Sequence, residues 1–257
     1  MRCLLLLVVF FVAGPWKHPG EARPLVPAVM LFGDSLVDIG NNDYIQTAAK
    51  ANFPPYGRDF QDHIATGRFC NGKVLSNFIG EALGFTGSPV AYLIPEASGE
   101  NLLSGANFAS AQSGYYDQTA HMYNVVPLSQ QLEHFKEYRH KLVVQVGSNQ
   151  AQSIISDSLY IISAGSNDYL FNYYVNPFIY KSQDQFSDLL IGILNNTVAV
   201  SSMKDAIFCH VIMIMRFSNL ELTVGTLRHG CSAHRCFLFA KFWLCSLSSH
   251  GVWPWGQ

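Results

Sequence analysis

The chain has 257 residues, enough for one substantial hydrophobic core and one domain. Its formal net charge is −2, only 13% of its residues are charged, and no basic stripe is present, which argues against a nucleic-acid partner. The 18 Phe and 12 Tyr suit either a packed interior or an apolar ligand site and do not choose between them.

In chain order, the first feature is a targeting signal. Arg2 precedes an apolar run from Leu4 to Val12, which Gly14 and Pro15 end, and Gly20-Glu21-Ala22 offers small residues for cleavage. Residues 1–22 therefore read as a secretory signal peptide, and the expected product is secreted and extracellular. The run is too short to span a bilayer, and no later apolar run reaches ~18 residues, so no transmembrane segment is expected.

Val26 to Phe32 is a short apolar run that reads as a buried strand, with Pro27 confined to its start because a strand interior would miss its amide. Asn41 to Gly72 is polar and punctuated by Pro54-Pro55, Gly57, Gly67 and Asn71-Gly72, the composition of a long loop. Lys73 to Leu83 has helical apolar spacing, and Gly84 is placed to end that helix. Ser104 to Ser110 is built of small residues that allow close backbone approach. Leu128 to Tyr138 is a second helix; Lys141 to Val146 reads as a strand or as its continuation. Ser158 to Ala164 is a strand running into Gly165-Ser166-Asn167-Asp168, and Phe186 to Val198 is a further helix. Strands alternating with helices predict an α/β fold with a parallel sheet, whose ligands lie at the carboxyl ends of the strands.

Secretion changes the meaning of the cysteines. Without Cys3, five remain, Cys70, Cys209, Cys231, Cys236 and Cys245, an odd number that cannot pair completely within the chain. Cys231 and Cys236, interleaved with His229 and His234, match no strong zinc spacing, so no metal or other cofactor is expected. Asn195-Asn196-Thr197 is a glycosylation triplet on Asn195.

The clusters at residues 33–35 and 165–168 both follow apolar strands. A serine hydroxyl needs a base to take its proton, and the oxyanion formed on attack needs donors aimed at it beforehand. Ser35 can serve as nucleophile, with the amides of Ser35 and Gly105 and the side chain of Asn167 as donors. The plain alternatives are an Asx-capped turn at Gly33-Asp34-Ser35 and a helix N-cap at Asn167-Asp168.

Longer stretches favour chemistry. Phe32-Gly33-Asp34-Ser35-Leu36-Val37-Asp38-Ile39-Gly40-Asn41-Asn42 resembles the opening block of the plant GDSL esterase/lipase family, within the SGNH hydrolase superfamily. So do residues 51–60 and Thr66-Gly67-Arg68-Phe69-Cys70-Asn71-Gly72, where the family usually has Ser in place of Cys70. Gly105-Ala106-Asn107-Phe108-Ala109-Ser110 is similar to the second block, and Ser163-Ala164-Gly165-Ser166-Asn167-Asp168-Tyr169 to the third. The resemblance spans about residues 26–200. It implies a three-layer α/β/α sandwich, hydrolysis of carboxylic esters of small molecules or lipids, Ser35 as nucleophile, and Gly105 and Asn167 in the oxyanion hole. It also implies that Asp34 shapes the turn.

The family's C-terminal Asp-x-x-His, source of the catalytic base, occurs nowhere in the sequence, and after residue 205 the only acidic residue is Glu221. Residues 23–205 are thus expected to form the N-terminal part of the hydrolase domain, and residues 206–257 an atypical tail that leaves the sheet incomplete. Nothing in the spacing selects a base among His210, His229, His234 and His250. The competing expectation is a secreted lipid- or carbohydrate-binding protein that keeps the cleft without turnover.

Overall fold

The first strand, β1 (Val29–Gly33), is buried along its whole length. A continuous apolar run does this when both faces of a parallel sheet are covered. In this computed structural model, residues 24–175, 182–200, 207–216 and 221–225 are described. After β1 come α1 (Leu75–Ala82), β2 (Val90–Ala91), β3 (Gly105–Asn107), α2 (Asp117–His121), α3 (Leu128–Val146), α4 (Ser148–Asp157) and β4 (Leu159–Ala164). A π-helical turn (Asp168–Tyr173), α5 (Gln183–Val200), β5 (Ile207–Arg216) and β6 (Glu221–Gly225) follow. The strands form one sheet in the order β2-β3-β1-β4-β5-β6, parallel from β2 to β5, with β6 antiparallel to β5.

Helices lie against both faces. Met30 and Phe32 of β1, Ala106 of β3, and Tyr160 and Ile162 of β4 share a core with Phe135, Tyr138 and Leu142 of α3, Ile155 of α4, and Phe186 and Leu190 of α5. Asn107 alternates with Ala106 and Phe108, so it points to the other face, where its side-chain amide donates to Ser76 Oγ of α1 (3.3 Å). The α/β sandwich expected from the sequence is the fold observed.

The elements end where local chemistry dictates. Gly84 (φ +86°) closes α1, with Gly84 N–H bonded to Glu81 O (3.1 Å) and Phe85 N–H to Gly80 O (2.9 Å). This is the paired pattern of a glycine-terminated helix. Residues 141–146 continue α3, whose buried positions Leu128, Gln131, Phe135, Tyr138 and Leu142 form one stripe, while Val144 is 75% exposed. The apolar stripe, not the β-branched composition of Val143-Val144, decides that segment.

Beyond residue 205 the chain adds two strands: Leu159 to Ala164 of β4 pair in register with Ile207 to Ile212 of β5. The expected signal peptide and most of the expected tail lie outside the described residues. Among the described residues no helix is long and apolar enough to cross a membrane.

The core beside β1 is aromatic. Phe32 stacks on Phe108 at 5.0 Å between ring centroids, and Phe135 presents its edge to both, at 5.7 and 5.8 Å. Tyr138 and Tyr160 join through their rings and satisfy their hydroxyls on Leu102 O and Ile155 O (both 3.0 Å). Phe135→Ala should remove the ring that meets Phe32, Phe108, Tyr138 and Tyr160 and cost about 3–5 kcal/mol. Urea unfolding of the purified variant checks this, and a loss under about 1 kcal/mol would contradict the packing.

Candidate active site

β1 and β4 end side by side, with Gly33 in register with Ser163. Gly33 has φ +126°, and a Cβ on it would lie 1.8 Å from Ser163 O. Only glycine permits that approach. Asp34 N–H then donates to Ser163 O (2.9 Å), and Val37 N–H and Asp38 N–H donate to Asp34 O (3.2 and 3.0 Å), folding residues 34–38 into a turn beyond the strand end. Ser35 is half-buried in this turn. Among the described residues, nothing hydrogen-bonds its hydroxyl or its backbone amide.

Three side chains of the same block tie the turn down. Asp38 accepts from Gly40 N–H (2.8 Å), Asn41 N–H (2.9 Å) and Ala111 N–H (3.0 Å). Asn41 donates to Asn107 O (2.9 Å) and Ala109 O (2.7 Å), and Asn42 donates to Ala111 O (3.1 Å). The segment after β3 is thereby held against the serine turn.

That segment meets the loop after β4. Asn167, 7% exposed, donates from Nδ2 to Ser113 O (2.8 Å). The Asp168 carboxylate accepts from Tyr115 N–H (2.8 Å), Tyr116 N–H (3.1 Å) and Thr119 Oγ1 (2.6 Å). Gly114 lies between these contacts: a Cβ there would fall 2.2 Å from Asp168 Oδ1. The Gly114 amide is buried and has no acceptor among the described residues. Ser166 Oγ reaches Asp34 Oδ2 (3.3 Å), linking the loop to the serine turn.

The loop carrying Asn167 is thus tied to the serine turn through Ser166 and Asp34, whereas Gly105 lies away from it. Gly105 opens β3 in register with Val29, at the start of β1. The strands are parallel, so it lies about 13 Å of strand away from the Gly33 end, at ~3.3 Å per residue. Its φ of +102° and the 2.1 Å from its built Cβ to Val29 O explain the glycine as a close-packing requirement, not as an oxyanion donor. Gly114 was not singled out by the sequence because it lies beyond Gly105 to Ser110, the stretch similar to the family's second block. Its signal is a glycine one residue past the Ser-rich turn. Asn167 precedes the π-helical turn without capping it, its side chain being taken by Ser113.

Gln131 was also missed. It is fully buried, with Oε1 accepting from Gly33 N–H (2.8 Å) and Nε2 donating to Gly33 O (3.0 Å). A polar residue on the apolar stripe of α3 was its visible signal.

Burial sets the acids of the site. Desolvation pushes the Asp34 carboxyl up to about 7, against the opposing bonds from Leu36 N–H and Ser166. Asp38 and Asp168 are raised to about 6 for the same reason, despite their bonds to backbone amides. Asp34 accepts from Leu36 N–H (3.1 Å) and so closes the turn.

A model of the GDSL-like lipase/acylhydrolase family matches residues 29–232. The chain belongs to this family. It is 57% identical over 176 residues to GDSL esterase/lipase At5g22810 of Arabidopsis thaliana, covering 66% of this chain and 49% of that protein. Over 169 residues it is 57% identical to GDSL esterase/lipase APG of the same plant, covering 65% and 48%. Over 193 residues it is 50% identical to GDSL esterase/lipase At5g03820, also from Arabidopsis thaliana, covering 74% and 54%. The chain spans about half the length of the curated relatives it matches. No solved structure matches it. The GDSL family match extends past residue 205 and takes in β5 and β6.

The raised acids make stability depend on pH. Asp34 binds its proton more tightly when folded than when unfolded, so its contribution is complete below about pH 4 and is lost as pH rises through about 7. The stability difference between the parent and Asp34→Asn should therefore be larger at pH 4 than at pH 8, by at least ~1.4 kcal/mol, the equivalent of a tenfold change in equilibrium. Denaturant titrations at both pH values check the sign; a difference that grows with pH would refute it.

Proposed function

We propose that this chain is a serine hydrolase acting on carboxylic esters. In this reading Ser35 is the nucleophile, and its own amide, the Gly114 amide and the Asn167 side chain receive the oxyanion. The observation that carries the reading is the buried, acceptor-free amide of Gly114 beside Asn167, on a segment tied to the serine turn. Attack by Ser35 Oγ moves charge onto the carbonyl oxygen, and donors fixed in advance stabilise that charge without reorganising. Asp34 serves the turn through Leu36 rather than acting as triad acid.

The substrate class is carboxylic esters, of acyl lipids or of acetylated sugars and other small molecules. The product is secreted, with residues 1–22 removed and Asn195, exposed on α5, available for glycosylation. The family's Asp-x-x-His does not occur within these 257 residues, and attack by Ser35 needs a base to take its proton. Where no base reaches Ser35, the same cleft serves a second reading, a secreted binding protein for lipid or carbohydrate without turnover.

Hydrolysis of a short-chain nitrophenyl ester by the purified chain separates the two. The expected result is weak hydrolysis, abolished by Ser35→Ala and lowered about 100–1,000-fold by Asn167→Ala, as for loss of one oxyanion donor. Hydrolysis unchanged in Ser35→Ala would refute the nucleophile. Saturable ester binding with no turnover in any form would favour the binding protein.

A further inference from the structure

We propose that Gln131 is the positioning residue for the nucleophile. Its side-chain amide takes the place of a strand peptide beside Gly33 and fixes the serine turn and the Ser113–Gly114 segment in one geometry. The inference rests on the Ser35 reading above.

The need for such a group follows from the sheet. Pairing between β1 and β3 ends at Leu31↔Asn107, and Phe108 N–H makes the last bond of that ladder, to Leu31 O (2.7 Å). Gly33 is two residues further along β1, so its N–H and C=O point to the same side as those of Leu31. On that side β3 has already ended. Ser110 N–H supplies one bond to Gly33 O (3.0 Å) and leaves Gly33 N–H without a backbone acceptor. Gln131 completes the set: Oε1 takes Gly33 N–H (2.8 Å) and Nε2 gives to Gly33 O (3.0 Å), as a neighbouring peptide would.

The same Nε2 lies 3.1 Å from Val126 O and 3.3 Å from Ser113 Oγ. One amide thus touches the residue two before the nucleophile and the residue one before the Gly114 donor. Ser113 O is the acceptor that orients Asn167. The side chain is rigid because it is fully buried on α3, between Leu128 and Phe135 of the core stripe. A Leu at this position would keep the volume and abandon the Gly33 N–H in a dry site.

The test uses the whole chain, an alkyl fluorophosphonate as probe and imidazole in solution as the external base. Ser35 Oγ bonds to phosphorus, the P–F bond breaks, fluoride leaves and imidazole takes the proton. The labelled peptide is identified by mass, and the maximal labelling rate is separated from the saturation constant. Gln131→Leu should lower the maximal rate about 100-fold, the scale of an ångström-sized misplacement, with the saturation constant within about threefold. Gln131→Glu gives a readout that simple loss of packing would not produce. Its protonated carboxyl can both accept from Gly33 N–H and donate to Gly33 O, whereas the ionised form cannot donate. Relative to the parent at each pH, it should label near the parental rate at pH 5 and fall toward the Leu variant at pH 8.

If Gln131→Leu does not fold, this pH dependence alone decides. Parental maximal rates in the folded variants at both pH values overturn the role of Gln131 and leave Ser35 standing. No label on Ser35 in the parent overturns the Ser35 reading instead. Hydrogen exchange of the 33–36 amides then decides the positioning claim, with faster exchange in the variants supporting it and unchanged exchange overturning it.

Discussion

The backbone of Gly33 passes the carbonyl of Ser163 so closely that a built Cβ falls 1.8 Å from the oxygen. That contact lets β1 and β4 end together and lets Asp34 bond back to Ser163 O (2.9 Å). The turn carrying Ser35 is anchored on this approach, and so is the reach of Ser166 to Asp34. A side chain at residue 33 would have to part the two central strands, which also carry the aromatic core through Phe32 and Tyr160. The geometry of the site and the packing of the sheet are therefore set by the same few atoms.

Around this contact the chain places polar groups where water does not reach. Asp38, Asn41, Asn42, Gln131 and Asp168 are all nearly inaccessible, and each is bonded to backbone groups of segments distant in sequence. Such networks are favourable only when each member is satisfied, and a satisfied network specifies one arrangement of loops that apolar packing alone would leave ambiguous. Much of the motif that reads as chemistry is thus the architecture that holds the chemistry still.

The parts of the fold that follow from periodicity were legible in the sequence. The strands ending at Gly33 and Ala164, the helix closed by Gly84 and the helix beginning at Leu128 all appear close to where pattern and breaker residues put them. Residues 141–146 were ambiguous because Val143 and Val144 favour a strand by composition, and only the tertiary placement of Leu142 settles the segment. The short strand β2 and the helix α4 were not anticipated; Val90–Ala91 is too short to show a period, and α4 buries only Ala151 and Ile155. The positions of Ser35 and Asn167 just beyond the ends of β1 and β4 were legible because each follows an apolar run. Gly105 was misassigned because a motif gives order along the chain but not register. Gln131 escaped because its partners are backbone atoms 98 residues away, which no local pattern announces.

That separation along the chain has a consequence for how the site comes into being. The ties of the serine turn run to residues 66 to 132 positions later, through Asn41 to Asn107, Gly33 to Gln131 and Asp34 to Ser166. Closing such loops costs entropy before any bond is returned, and parallel pairing has no hairpin to shorten them. The turn containing Ser35 leaves the ribosome well before the residues that tie it down. Until Ser166 has emerged and β4 has docked, the Ser35 segment has neither its anchor nor its neighbour, so a nascent chain cannot hold this turn in its final form before its central strands have met.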